Sequence, residues 1–239
     1  MSFDPISLNV KIFSDGANLD DMCQMANKAY IAGLTTNPTL MKNAGIGDYS
    51  KFAKEVLARI KTKPISFEVF TDDLEEMKRQ ALTISSWGSN VYVKIPITNT
   101  LGDSTKSVIE FLVDREVKVN VTAIMTLAQV SDISEALNPQ IPSFISIFAG
   151  RIADTGQDPI PLVSKSLKLL SKNPSAEVIW ASPRELLNIF QANEIGCHII
   201  TATNQVLDKI HLVGKDLSEY SLETVKMFQK DAESVGYHI

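Results

Sequence analysis

The sequence is short of the residues that build metal sites and disulfide frameworks. Its two cysteines, Cys23 and Cys197, stand far apart and outside any CxxC pattern. That excludes a cysteine-rich zinc site and argues against a disulfide scaffold. The three histidines, His198, His211 and His238, do not fall at ligand spacing. Basic residues are not in excess: the formal net charge of −5 leaves nothing to neutralise a phosphate backbone, so no general nucleic-acid binding is expected. No apolar run approaches the roughly 18 residues of a membrane span. Met1 to Asn9 lacks a basic segment followed by an apolar stretch, so no secretory leader is expected. Neither GxGxxG nor GxxxxGK[ST] follows the first predicted strand, so the usual dinucleotide and P-loop readings lose their main support. What remains is the expectation of a cytoplasmic enzyme or binding protein.

What the chain does have is an alternation. With 44% hydrophobic and 21% charged residues it has the composition of a globular protein, and its 239 residues match one α/β barrel. Short β-rich apolar runs predict strands at Val10–Asp15, Gly33–Thr36, Ile65–Phe70, Val91–Ile95, Lys118–Thr122, Phe144–Phe148, Val178–Ala181 and His198–Ala202. Between them, helices are predicted at Leu19–Ala32, Tyr49–Ile60, Leu74–Trp87, Ser104–Arg115, Leu127–Leu137, Pro159–Ser171 and Arg184–Asn193, with a last helix at about 221–235. Nearly continuous apolar strands are those of a sheet covered on both faces. Eight of them, with no linker or composition break over residues 1–239, favour a single closed (β/α)8 TIM barrel; an open doubly wound sheet is the structural alternative.

In such a barrel the chemistry gathers at the carboxyl ends of the strands. Polar residues recur there: Asp15, Asn37 after Thr36, Glu68, Lys94, Asn120 with Thr122, Ser146 and Ser182, from every predicted strand but the last. A polar cluster inside the mouth is costly unless it is used. Lys94 is the sharpest member. It lies in Val91-Tyr92-Val93-Lys94-Ile95-Pro96, a run too apolar for a solvated lysine. Burial disfavours the ammonium and favours the neutral amine that attacks a carbonyl. A bland alternative has Lys94 snorkelling to water or pairing with Glu68. Asp15 and Glu68 offer two carboxylates for proton transfer, although Asp15 could simply cap the next helix. Ser182-Pro183-Arg184-Glu185 has the form of a capping box, which would put free backbone N–H groups, a hydroxyl and Arg184 at a helix start after strand 7. With Arg151 past strand 6, that predicts a phosphate site.

These segments resemble the transaldolase family, in its short-chain branch that includes the fructose-6-phosphate aldolases. The resemblance is carried by Lys11-Ile12-Phe13-Ser14-Asp15, Gly33-Leu34-Thr35-Thr36-Asn37-Pro38-Thr39-Leu40 and Val93-Lys94-Ile95-Pro96-Ile97-Thr98. It continues through Val119-Asn120-Val121-Thr122, Gly150-Arg151-Ile152-Ala153-Asp154 and Ala181-Ser182-Pro183-Arg184, in family order. It implies a Schiff base on Lys94, with Asp15 as acid/base for C–C cleavage and Glu68 and Thr122 around a catalytic water. It also implies that Asn37, Asn120 and Ser146 hold a dihydroxyacetone unit while Arg151, Ser182 and Arg184 hold a sugar phosphate. No metal or organic cofactor is implied, because the iminium is the electron sink. Glu68 and Phe148 resemble the transaldolases, where the aldolases have glutamine and tyrosine. Gly16, Ser146-Ile147-Phe148-Ala149-Gly150 and the last strand depart from the family pattern. The resemblance therefore implies dihydroxyacetone transfer between sugar phosphates in the pentose phosphate pathway. A lyase or an enzyme of a modified sugar phosphate is the alternative, and a non-catalytic sugar-phosphate binder the third. The family also implies a homo-oligomer.

Overall fold

The computed structural model describes residues 4–237. Eight parallel strands close into a barrel in sequence order: β1 Lys11–Asp15, β2 Ile31–Thr35, β3 Ile65–Glu68, β4 Val91–Pro96, β5 Val119–Ile124, β6 Ser143–Ile147, β7 Ala176–Trp180 and β8 Ile199–Thr203. The expected (β/α)8 barrel is therefore the fold; β8 pairs with β1, so no open edge remains. Helices α1 Leu19–Ala26, α2 Pro38–Asn43, α3 Tyr49–Arg59, α4 Leu74–Ser85, α5 Lys106–Val113 and α6 Leu127–Ala136 connect the first six strands. They are followed by α7 Ala149–Ala153, α8 Ile160–Leu170, α9 Leu187–Glu194, α10 Asn204–Leu207 and α11 Leu217–Val235. Among the described residues no helix is long and apolar enough to cross a membrane.

Local chemistry explains most of these boundaries. Asn18, Asp48 and Asp73 cap α1, α3 and α4 by accepting from backbone N–H groups, and Thr126 with Gln129 closes a capping box at α6. The boundary between α1 and β2 differs from its prediction. The helix predicted to run to Ala32 stops at Ala26 with Asn27 as its C-cap, and Ile31 and Ala32 enter β2 instead. Their apolar character reads equally well on a helix or a strand, and pairing with β1 decides it.

Two cores result. The larger lies between the barrel wall and the helices; the smaller fills the barrel itself with Phe13, Phe144, Ile179, Ala181 and Ile199, joined by Tyr92 and Phe148. The Phe13 and Phe144 rings meet edge to face at 5.6 Å, and Tyr92 stacks on Phe144 at 3.9 Å. Gly33 is a glycine because a Cβ there would stand 2.5 Å from the Phe13 ring. This aromatic plug makes the barrel a packed core with a floor. The polar residues of the carboxyl ends sit above it.

Candidate active site

Above the plug the barrel mouth encloses a cavity of about 460 Å³. Asp15, Asn37, Glu68, Lys94, Thr122, Ser146, Arg151, Ser182 and Arg184 all line it, so nine of the ten residues singled out in the sequence converge there. The tenth, Asn120, is fully buried and does not line the cavity, although it pairs in register with Lys94. Its Nδ2 donates to Ser66 Oγ at 2.9 Å and its Oδ1 accepts from the Ser146 hydroxyl at 2.7 Å. Asn120 thus orients Ser146 and does not itself reach the cavity.

Lys94 is buried, with 6% of its surface exposed, so it does not snorkel. Strand register sets its neighbour: Glu68 on β3 pairs across to Lys94 on β4, and the Glu68 carboxylate lies 3.1 Å from Nζ. The amine also donates to the Thr36 carbonyl at 3.0 Å. The Tyr49 hydroxyl donates to the Glu68 carbonyl at 2.8 Å and holds the end of β3 in place. Beside them the Thr122 hydroxyl is buried with no hydrogen-bond partner, an unsatisfied group that a bound molecule in the cavity can satisfy.

Asp15 does not cap a helix; Asn18 does that. Its Oδ1 instead accepts from the Thr35 hydroxyl at 2.7 Å, and the Thr35 and Thr201 hydroxyls lie 2.5 Å apart. Burial pushes the Asp15 carboxyl above its ordinary range, and the nearby Glu68 charge adds to this. The Lys94 ammonium and the Thr35 hydroxyl offset it in part. Thr201 and Thr203 also correct the expectation that the last strand contributes nothing, since both line the cavity from β8. The signal was available: Thr201 and Thr203 alternate along one face of the strand.

The corner past β6 and β7 differs from its prediction. Ser182 is not an N-cap; its φ is +60°, and α9 begins only at Leu187. The N–H groups of Arg184 and Glu185 donate to Asn188 Oδ1 at 2.8 and 3.1 Å, so they are not free. The reason is packing. Gly150 of α7 approaches so closely that a Cβ there would lie 1.5 Å from the Ser182 carbonyl oxygen, which fixes the turn. What this corner offers an anion is the Ser182 hydroxyl, Arg151 and Arg184. Arg184 is engaged by Asp154 through two hydrogen bonds, one from Nε at 3.0 Å, and this pairing holds the Asp154 carboxyl below its ordinary range. Arg151 makes no ion pair among the described residues and lies 5.9 Å from the Phe148 ring centre. Two cavity residues, Ala123 and Ser182, carry positive φ without being glycine, which is backbone strain gathered at one site. Among the described residues no cluster of histidine, cysteine and carboxylate groups is suited to a metal ion.

A sequence model of the family described as Transaldolase/Fructose-6-phosphate aldolase matches residues 12–239. A probable transaldolase of Clostridium kluyveri is 32% identical over 227 residues, covering 95% of this chain and 99% of the relative. One from a Thermoanaerobacter species is 31% identical over 231 residues, 96% of this chain and 100% of the relative. One from Methanococcus maripaludis is 34% identical over 202 residues, 84% and 89% of the two chains. A closed barrel whose mouth joins a buried lysine to two carboxylates, matched along nearly its whole length, belongs to the transaldolase/fructose-6-phosphate aldolase family.

Proposed function

We propose that this protein is a transaldolase. In this reading it moves a three-carbon dihydroxyacetone unit from a ketose phosphate of the sedoheptulose 7-phosphate or fructose 6-phosphate type. The acceptor is an aldose phosphate of the glyceraldehyde 3-phosphate or erythrose 4-phosphate type, as in the pentose phosphate pathway. The observation that carries it is the buried Lys94 amine, 3.1 Å from Glu68 and in one cavity with Asp15.

The steps follow from that arrangement. Glu68 takes a proton from the Lys94 ammonium, and the free amine adds to the ketose C2 carbonyl to give a carbinolamine. Glu68 returns the proton to the C2 hydroxyl, which leaves as water, and a protonated imine remains. Asp15 then removes the proton of the C4 hydroxyl. The C3–C4 bond breaks, its electron pair enters the iminium to form an enamine, and C4 leaves as the aldehyde carbon of the first product. An incoming aldose reverses this step, its new hydroxyl recovering the proton from Asp15. Water positioned by Glu68 and Thr122 hydrolyses the imine and frees Lys94. Asn37 and Ser146 bind the hydroxyls of the three-carbon unit, Asn120 acting through Ser146. Arg151, Ser182 and Arg184 bind the phosphate, for which Arg184 must share its guanidinium with Asp154.

Transfer is favoured over release because Phe148 brings only a ring to the cavity wall, with no phenolic donor. Incubation with fructose 6-phosphate tests this. Without an acceptor the enzyme should stall after about one turnover per site; adding erythrose 4-phosphate should yield a stoichiometric seven-carbon ketose phosphate. Continuous release of free dihydroxyacetone would instead make it a lyase. The proposal extends to a cytoplasmic homo-oligomer, supported by two unpaired thiols and by the uncovered apolar residues of α11.

A further inference from the structure

Among the cavity side chains that the mechanism above leaves unused is Thr203. Thr203 ends β8 and occupies the N-cap position of α10, where a threonine hydroxyl ordinarily accepts from a backbone N–H of the first turn. Here it makes no such bond. The backbone at Thr203 is still extended, with φ −69° and ψ 157°, so the strand alternation carries its side chain to the inner face together with Thr201. The register places Thr201 beside Phe13 and Thr203 beside Asp15. The Thr201 hydroxyl is taken by Thr35, whereas Thr203 has no side-chain hydrogen bond among the described residues and lines the cavity.

Its place on the wall gives the hydroxyl a partner. Going round the barrel from β1 to β7, Thr203 lies between Asp15 and the corner of Ser182 and Arg184. In the transfer proposed above, on which this inference rests, a ketose held at C2 by Lys94 presents its C4 hydroxyl to Asp15 and its phosphate to that corner. The carbon next to C4 then passes in front of Thr203. We infer that Thr203 is a specificity-determining residue that hydrogen-bonds the hydroxyl on C5 of the ketose, which is the 2-hydroxyl of the acceptor aldehyde. The enzyme selects 2-hydroxyaldehyde phosphates over their 2-deoxy analogues through this contact.

In a ping-pong transfer, kcat/KM for the acceptor reports the half-reaction that begins with its capture by the enamine and is independent of the donor half-reaction. That value is measured for Thr203→Val and the parent with glyceraldehyde 3-phosphate and with its 2-deoxy analogue, 3-phosphooxypropanal. The variant should lose about threefold to tenfold with glyceraldehyde 3-phosphate, the worth of one hydrogen bond, and nothing with the deoxy analogue. Thr203→Ser should restore the preference. Equal losses with both acceptors would mark Thr203 as structural, and no loss with either would remove it from recognition; each overturns the inference. Borohydride trapping of Lys94 in the parent separates these results from failure of the transaldolase reading itself, since trapping does not depend on Thr203.

Discussion

At the scale of single residues the site is defined by groups that pay for their position. Asp15 is the clearest case, because burial raises its carboxyl above the ordinary 3.8 despite Lys94 and Thr35. The sign follows directly. As pH rises from 3.8, the unfolded chain ionises Asp15 before the folded one does, so folding loses stability across that window and the loss persists above it. Asp15→Asn should therefore melt higher than the parent near neutral pH, with the gap narrowing as pH falls toward 3.8. Cleavage needs the ionised carboxylate, so the acid limb of kcat in the parent should lie above the usual carboxylate range. Asp15→Asn should lower transfer by about 10²- to 10⁴-fold while still forming the imine on Lys94. Thermal unfolding and rapid-quench kinetics across pH check both; a variant that melts lower at neutral pH contradicts the burial argument.

At the scale of elements, the sequence was readable where periodicity and caps agreed. Tyr49–Arg59 and Leu74–Ser85 form close to their predicted bounds because an aspartate caps each and an apolar stripe faces the barrel. The short helices α2, α7 and α10 were not predicted. For α2 a signal existed, with Asn37 as cap and Pro38 at the first position. The Ser182 corner departs from the capping-box reading because its strained left-handed backbone is set by contact with Gly150, more than thirty residues earlier, which no local pattern announces. The last helix was expected at about 221–235 and begins at Leu217. It buries none of its residues, yet Leu222, Val225, Met227 and Phe228 are exposed. Apolar groups left in water on one helix call for a cover, and the homo-oligomer proposed above would supply one from a second copy of the chain. Light scattering should return two or more times the 26.3 kDa of the chain, and Phe228→Asp should lower it. A monomeric parent contradicts this.

At the scale of the whole molecule, fold and site were legible for one reason: a closed barrel brings the carboxyl ends of all its strands to one mouth. Polar residues scattered from Asp15 to Arg184 converge because the topology leaves them nowhere else to go. What could not be read was depth. Asn120 follows the same alternation as Thr122, but lies one layer lower, where only its bond to Ser146 touches the cavity. Likewise, no spacing rule announces that Arg184 is shared with Asp154. Chemistry at Lys94 remains the claim on which the rest depends. Borohydride reduction in the presence of fructose 6-phosphate, followed by peptide mapping, tests it most directly. The Lys94 peptide should carry the mass of the reduced three-carbon or six-carbon adduct; an unmodified Lys94, or label on another lysine, contradicts it.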